Sequence, residues 1–194
     1  MIKLCVNEFL NISKEELSGK VICFTTDTVW GVGVLVDDNI EVGLNKIYKM
    51  KKRDLNKPLA VLGSSIDEIK KHVVYDEIVE SIMSNWPGAL TIIFKKKDSF
   101  FDKLTSLDTI GLRIPNNEVS LKVLKHLRFV ATTSVNLSNS EPLNDPLEIE
   151  KYFSEYIDYL ITDETINSLV SSTIVDVSSN PFKVIRSGDI FINV

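Results

Sequence analysis

Two polar segments combine hydroxyl, carboxylate and amide side chains at a spacing that could bind a polar ligand. Residues 25–33 contain three threonines, Asp27 and two glycines, and the glycines would let a ligand approach the backbone closely. Residues 131–138 combine hydroxyl side chains with Asn136. Both segments follow a predicted strand, a place where ligands often bind in α/β proteins. The pattern alone leaves two interpretations open for each: a ligand loop, or a turn whose hydroxyls bond to the segment itself.

A basic segment lies between these two in the chain and could bind phosphate groups. Arginine would act as a bidentate fork and lysine as a point charge. From the charges alone, a solvated helix face is the commoner explanation of such a run. The sequence contains no Walker A pattern, so a nucleotide site would have to be of another kind. The cations of the segment are Lys46, Lys49, Lys51, Lys52, Arg53 and Lys57.

Further polar residues flank the C-terminal strands or lie in predicted helices. Ser172 and Arg186 could bind a ligand, or they could be ordinary surface residues. His72 and His126 occur in helical segments without an evident partner, so a Ser/His/Asp triad is not expected. No HExxH, EF-hand or paired-carboxylate pattern is present in the sequence.

The composition is that of a globular protein. A chain of 194 residues, 44% apolar and 25% charged, can bury a substantial core, and we expect a single domain over residues 1–194. The net charge of −5 argues against a broad nucleic-acid surface, although it is compatible with a local basic patch. The sequence lacks a membrane-spanning apolar run and a signal-peptide pattern, which predicts a cytoplasmic location. Cys5 and Cys23 lie in apolar runs and are expected to be small buried hydrophobes.

Short apolar runs alternate with segments of helical periodicity, which predicts an α/β fold with a twisted mixed sheet and flanking helices. The closely spaced C-terminal strands favour some antiparallel pairing, because parallel crossovers need longer connections. Helices are predicted at residues 37–50, in a short stretch capped by Ser65 and Glu68, and at residues 75–84 and 118–127. Strands are predicted at residues 21–24, 31–36, 59–62, 90–94, 109–114, 129–132, 157–161, 173–177 and 182–185.

Taken together and in order, these segments resemble the motifs of the YrdC family from about residue 19 to residue 190. The family's opening Pro-Thr-Asp/Glu-Thr-Val-Tyr-Gly-Leu-Gly stretch is similar to residues 25–33, with Thr25 and Trp30 in place of Pro and Tyr. Its Lys-x-Arg motif before a Pro-Leu pair resembles residues 51–59. The motifs Trp-Pro-Gly-x-Leu-Thr, Val-Arg-x-Pro, Ser-x-Asn, Ser-Thr-Val-Val-Asp and Arg-Pro-Gly are matched at residues 86–91, 112–115, 134–136, 172–176 and 186–188. The last motif has Ser187 instead of Pro.

The resemblance implies an activity, a set of substrates and possible partners. Members of the family are threonylcarbamoyl-AMP synthases, and this chain resembles their short single-domain form. They make L-threonylcarbamoyladenylate and pyrophosphate from L-threonine, bicarbonate or CO2, and ATP. The product serves the N6-threonylcarbamoyladenosine modification at position 37 of tRNA, a step that needs further transferase proteins. Contact with tRNA or double-stranded RNA is also conceivable.

The resemblance further assigns roles to individual residues, and Mg²⁺ is expected to share the neutralisation of the triphosphate. No metal ligands and no general base are indicated. The catalytic cations would be Lys51 and Arg53. The ATP-binding residues would be Arg53, Lys57, Thr109, Asn136, Asn144 and Arg186. The threonine-binding residues would be Thr28, Arg113, Ser134 and Ser172.

Three other functions remain as alternatives. The lysine-rich residues 46–57 and 95–97 could line an RNA-binding surface without any turnover. The chain could be a paralogue that keeps the fold and has lost the reaction, or it could adenylate another carbamoyl compound, as hydrogenase-maturation proteins do. The acidic net charge and the intact motifs favour the synthase.

Overall fold

A single mixed sheet organises the part of the chain that the computed structural model describes, which is residues 1–54, 58–163, 165 and 168–192. The sheet has ten strands. They are β1 (Ile2–Leu4), β2 (Val21–Phe24), β3 (Gly31–Leu35), β4 (Ala60–Gly63), β5 (Leu90–Lys95), β6 (Thr109–Arg113), β7 (Phe129–Ser134), β8 (Tyr159–Ile161), β9 (Thr173–Asp176) and β10 (Lys183–Arg186).

The strand order is β1-β8-β2-β3-β7-β4-β6-β5-β9-β10, and both pairing directions occur. The pairs β1–β8, β8–β2, β4–β6 and β5–β9 are parallel. The pairs β2–β3, β3–β7, β7–β4, β6–β5 and β9–β10 are antiparallel. The mixed sheet expected from the sequence is therefore confirmed.

The helices flank the sheet, and most of them begin after a residue whose side chain caps the helix. They are α1 (Val6–Phe9), α2 (Lys14–Leu17), α3 (Ile40–Lys51), α4 (Ile66–Lys70), α5 (Glu77–Met83), α6 (Glu118–Leu127) and α7 (Pro146–Phe153). The side chains of Ser65, Asp76 and Asn117 accept hydrogen bonds from backbone N–H groups in the first turns of α4, α5 and α6. Each satisfies one of the amides that a helix start leaves unpaired.

Side chains that alternate along the strands pack on opposite faces of the sheet and divide the core into two layers. Val21 and Cys23 of β2 pack into one buried cluster, whereas Ile22 and Phe24 pack into the other. Successive side chains of a strand point to opposite faces, so each face of the sheet has its own apolar layer. Helix α3 contributes to the first layer and α6 to the second. Cys23 is buried as expected, whereas Cys5 is only partly buried, beside α1.

All of the predicted helices and strands are present, and their ends differ from the predicted ones by at most three residues. The sequence interpretation missed β1, α1 and α2, which have three or four residues each and are too short to show a periodicity. It also missed α7, which follows directly on the polar loop. Its start carries a recognisable signal, because Asp145 caps the helix and Pro146 occupies the first turn.

We expect Gly33→Ala to lower the free energy of unfolding by about 1–3 kcal/mol through overpacking. A Cβ at Gly33 would lie 2.6 Å from Cγ1 of Val130 and 2.7 Å from the carbonyl oxygen of Ala131. Gly111→Ala is the control, because its Cβ would come no closer than 3.6 Å to Thr91. Urea unfolding of both variants checks this. Equal midpoints for the two would contradict the close approach of β3 and β7.

Candidate functional site

A cavity of about 290 Å³ lies on one face of the sheet, across the middle strands. The strand register places Thr132 beside Ala60, Leu62 beside Arg113, and Thr91 beside Ile174. All of these residues line the cavity. Small and hydroxyl side chains here leave a depression where large apolar residues would fill the layer.

The lining of the cavity is cationic and rich in hydroxyl groups. Three arginines line it, Arg53, Arg113 and Arg186, and no acidic residue is among the described lining residues. The hydroxyl residues of the lining are Thr26, Thr28, Thr91, Thr132, Thr133, Ser134, Ser171 and Ser172. Such a lining fits an anionic ligand that also carries hydrogen-bonding groups.

Arg113 is 7% exposed and is held by acceptors from two other segments. Its Nε donates to the carbonyl oxygen of Gly88 at 3.0 Å, and its Nη1 donates to Oγ1 of Thr28 at 3.0 Å. Its Nη2 forms an ion pair with Asp27. Burial lowers the pKa of Arg113, and the Asp27 carboxylate raises it. One N–H hydrogen on each of Nη1 and Nη2 remains for a ligand.

Ser172 connects Arg186 to the cavity wall. The carbonyl oxygen of Ser172 accepts from Nε of Arg186 at 2.9 Å, and its Oγ accepts from Nη2 of Arg186 at 3.1 Å. The same Oγ lies 2.9 Å from Oγ1 of Thr91. These contacts orient the Arg186 guanidinium, although the residue lies on β10 at the edge of the sheet.

Arg53 follows α3, and its guanidinium has N–H groups that are available to bind a ligand. Its Nη2 donates to the carbonyl oxygen of Pro58 at 3.1 Å. Its Nε is buried and has no hydrogen-bond partner among the residues that the structure describes. A buried donor without a partner is costly, so an oxygen of a ligand would be a favourable partner for it.

Lys51 differs from the arginines, because it does not line the cavity. Its Nζ donates to the carbonyl oxygen of Ser134 at 2.7 Å, and to the carbonyl oxygen and Oδ1 of Asn136 at 3.1 and 2.6 Å. All three ammonium hydrogens therefore have protein acceptors. Burial and the nearby Arg53 lower the pKa of Lys51 to about 8. The side chain joins α3 to the segment that follows β7.

Three further predicted residues, Asn136, Asn144 and Thr109, lie near the cavity but do not line it. Asn136 holds the loop after β7, where its Oδ1 accepts from Oγ of Ser134 at 2.7 Å. Asn144 accepts from the backbone N–H of Trp30 at 3.2 Å. Thr109 lines an adjoining cavity of about 280 Å³, which shares Pro58, Leu59, Ala60, Thr91 and Ile174 with the first. Lys57 lies outside the described residues.

Several contacts were not anticipated from the sequence. Asp27 was part of a candidate segment, but nothing in the pattern indicated its ion pair with Arg113. The histidines were wrongly expected to lack partners: Nδ1 of His72 lies 2.8 Å from Asp98, and Nε2 of His126 lies 2.9 Å from the carbonyl oxygen of Ile12. Their partners are distant in sequence, so no local pattern could show them.

Comparison with known proteins agrees with this arrangement. The family model Sua5/YciO/YrdC, described as telomere recombination, matches residues 17–188. The chain belongs to the Sua5/YciO/YrdC family. The resemblance inferred from the motifs is thereby confirmed, because the matched range contains all seven of them.

Relatives within the family carry one activity in their names. A Methanocaldococcus jannaschii protein is 34% identical over 94% of this chain and 86% of its own length, and its name gives threonylcarbamoyl-AMP synthase as a provisional assignment. The threonylcarbamoyl-AMP synthase of Idiomarina loihiensis is 25% identical over 82% of this chain and 88% of its own length.

A solved structure shares the fold. The crystal structure of P. abyssi Sua5 complexed with L-threonine superposes with a TM-score of 0.83 at 24% identity, over 97% of this chain. The present chain spans 58% of that longer protein. Among the described residues, no helix is long and apolar enough to cross a membrane.

We expect the stability that Lys51 contributes to rise with pH. The unfolded chain binds the Lys51 proton more tightly than the folded protein does, so the free energy of unfolding increases between about pH 8 and pH 10.5. Lys51→Met removes this increase. Urea unfolding of wild type and variant across pH 7–10.5 measures the difference, and parallel pH profiles would contradict the lowered pKa.

Proposed function

We propose that this protein makes L-threonylcarbamoyladenylate and pyrophosphate from L-threonine, bicarbonate or CO2, and ATP. The observation that carries the proposal is the cavity with three arginines and no acidic residue among its described lining, assembled from the family's motif residues. Its adjoining cavity extends the space for a ligand of two parts. An amino acid and a nucleoside triphosphate together require such a space.

Threonine would bind at the Arg113 end. The two unoccupied N–H hydrogens of Arg113 can hold the α-carboxylate. Thr28 lies next to the guanidinium, while Ser134 and Ser172 line the same cavity. Their hydroxyls can bond to the carboxylate, to the carbamate or to the threonine hydroxyl. This assignment gives each polar group of the amino acid a partner.

The phosphates would bind to the other cations. Nε of Arg53 has no partner among the described residues, and Arg186 is oriented by its hydrogen bonds to Ser172. Lys57, which follows Arg53 by four positions, completes the set expected from the motif. The adjoining cavity with Thr109 would hold the nucleoside. Asn136 and Asn144 would fix the segment after β7, whose Ser134 lines the first cavity.

The reaction needs positioning and charge stabilisation more than covalent catalysis. The amine of threonine attacks CO2, and loss of a proton leaves a carbamate. A carbamate oxygen then attacks the α-phosphorus, and the bond to the β-phosphate oxygen breaks, releasing pyrophosphate. Negative charge grows on the leaving group, so cations fixed near it lower the barrier. Arg53 is the catalytic cation in this proposal.

Lys51 would be a positioning residue. Its three hydrogen bonds fix the loop that carries Ser134 and Asn136. Its proposed catalytic role is therefore indirect: it places the Ser134 hydroxyl and does not touch the phosphates.

The described residues do not fit a dedicated magnesium site. They contain no cluster of three or more His, Cys, Asp or Glu side chains that could hold a metal. Magnesium prefers carboxylate and phosphate oxygens. We therefore treat Mg²⁺ as part of the ATP substrate and assign it no protein ligand.

The product would be used in tRNA modification by separate transferase proteins, in the cytoplasm. Two free cysteines are consistent with a reducing compartment. Direct RNA binding is less favoured, because Lys46 is neutralised by Asp158 and Lys96 by Asp102. These ion pairs weaken the basic surface that RNA would need.

Pyrophosphate release from ATP, with and without L-threonine and bicarbonate, tests the proposed function. Release that requires both would support the synthase. Release that ignores threonine would indicate another carbamoyl acceptor, and absence of release from folded protein with Mg²⁺ present would overturn the proposal. Salt-dependent binding of a tRNA without turnover would favour the RNA-binding alternative.

Arg53→Ala should reduce threonine-dependent pyrophosphate release by about 100-fold or more, since it removes a cation aimed at the leaving group. Lys49→Ala is the matched control, because Lys49 is exposed on α3, the helix that Arg53 follows. Its activity should equal that of wild type. If both variants retain full turnover, the cation argument is wrong.

Arg113→Lys should raise the KM for threonine by about tenfold or more, because lysine cannot form the bidentate contact. The KM for ATP should change little. Steady-state kinetics with each substrate varied in turn gives both values. A variant with a raised KM for ATP and an unchanged KM for threonine would move the amino-acid subsite elsewhere.

A further inference from the structure

The three arginines of the cavity differ in how their charge is compensated. Arg113 forms an ion pair with Asp27, whose side chain is 15% exposed. Arg53 and Arg186 form no ion pair with another described residue. Asp27 therefore compensates the charge of Arg113, whereas Arg53 and Arg186 keep their positive charge.

The Asp27–Arg113 ion pair is buried and lies near a second arginine, Arg186. The guanidinium side chain is 8% exposed, so water screens its charge weakly. Arg186 is close enough to lower the pKa of Arg113 by charge repulsion. Without Asp27, Arg113 would join Arg53 and Arg186 in one continuous positive field. A phosphate or pyrophosphate ion, with two or more negative charges, would then be attracted to the Arg113 end as well.

Asp27 is also fixed by the backbone, so its position is not incidental. Its carbonyl oxygen accepts from the backbone N–H of Ser168 at 3.0 Å, and the carbonyl oxygen of Thr28 accepts from Leu169 at 3.0 Å. These two hydrogen bonds, from residues shortly before Ser171 and Ser172, hold residues 27 and 28 beside Arg113.

We propose that Asp27 is a specificity-determining residue: by neutralising Arg113, it keeps polyphosphate anions out of the amino-acid subsite and leaves them to Arg53 and Arg186. The inference rests on the proposed function for the identity of the two subsites. A carboxylate with a single charge still binds to Arg113 through the two remaining N–H hydrogens. The neutral pair therefore discriminates by charge and not by shape.

Calorimetric titration with inorganic pyrophosphate, without ATP or threonine, tests this on the full chain. Asp27→Asn keeps an oxygen acceptor for Arg113 and removes the charge, so the variant should bind pyrophosphate about tenfold more tightly or gain a second binding event. Asp158→Asn is the matched control, since it changes the net charge equally at a carboxylate paired with Lys46 outside the cavity lining. Its affinity for pyrophosphate should equal that of wild type.

A double variant, Asp27→Asn with Arg113→Gln, assigns the gain to Arg113. The extra pyrophosphate affinity should disappear in it. If Asp27→Asn is too unstable for calorimetry, the rise of its melting temperature with pyrophosphate gives the same comparison. An unchanged pyrophosphate affinity in Asp27→Asn, or an equal gain in Asp158→Asn, would overturn the proposal.

Enzyme kinetics separate this inference from the proposed function. In Asp27→Asn, pyrophosphate should become a competitive inhibitor toward threonine. One outcome is that wild type shows no threonine-dependent turnover, while Asp27→Asn still binds pyrophosphate more tightly than wild type. This result would overturn the synthase function and support the role of Asp27 in charge compensation. Threonine-dependent turnover in wild type with unaltered pyrophosphate binding in the variant would support the synthase and overturn the role of Asp27.

Discussion

The architecture of the site depends on one constraint: a guanidinium cannot be buried unless its charge and its donors are satisfied. Arg113 meets this requirement through Gly88, Thr28 and Asp27, which belong to two segments far apart in the sequence. Removing any one acceptor would leave a buried donor without a partner, which costs more than an ordinary hydrogen bond contributes. The loop that follows β2 and the turn before β5 are thereby tied to the end of β6.

A second buried cation has a comparable role on the other side of the cavity. Lys51 ends α3 and uses all three donors on Ser134 and Asn136. Helix α3 packs in the apolar layer on one face of the sheet, so the position of the loop after β7 is set by that layer. The core thus determines where the Ser134 hydroxyl lies. Because α3 is fixed by its packing, the Ser134 hydroxyl has a defined position that it would not have in a free loop.

The sequence allowed much of the scaffold to be predicted, since strands such as β2 and helices such as α6 carry strong patterns. The candidate residues were found through motif order, and the structure brings Thr28, Arg53, Arg113, Ser134, Ser172 and Arg186 to one cavity. Local patterns could not reveal which cations are compensated. The Asp27–Arg113 pair joins positions 86 residues apart, and the role of Lys51 depends on atoms 83 and 85 residues away. Such pairings follow from the strand order, which no short segment encodes.

Unequal compensation of the arginines gives a physical basis for binding two different anions in one connected space. A cavity with uniform positive charge would bind the most highly charged ligand everywhere, because the Coulomb energy grows with the charge product. Pairing Arg113 with Asp27 makes binding at Arg113 dependent on hydrogen-bond geometry, whereas Arg53, whose Nε has no partner among the described residues, keeps the longer-range attraction. The two arginines are then selective by different means. An amino-acid carboxylate and a triphosphate can be sorted before they react, even though both are recognised by the same type of side chain.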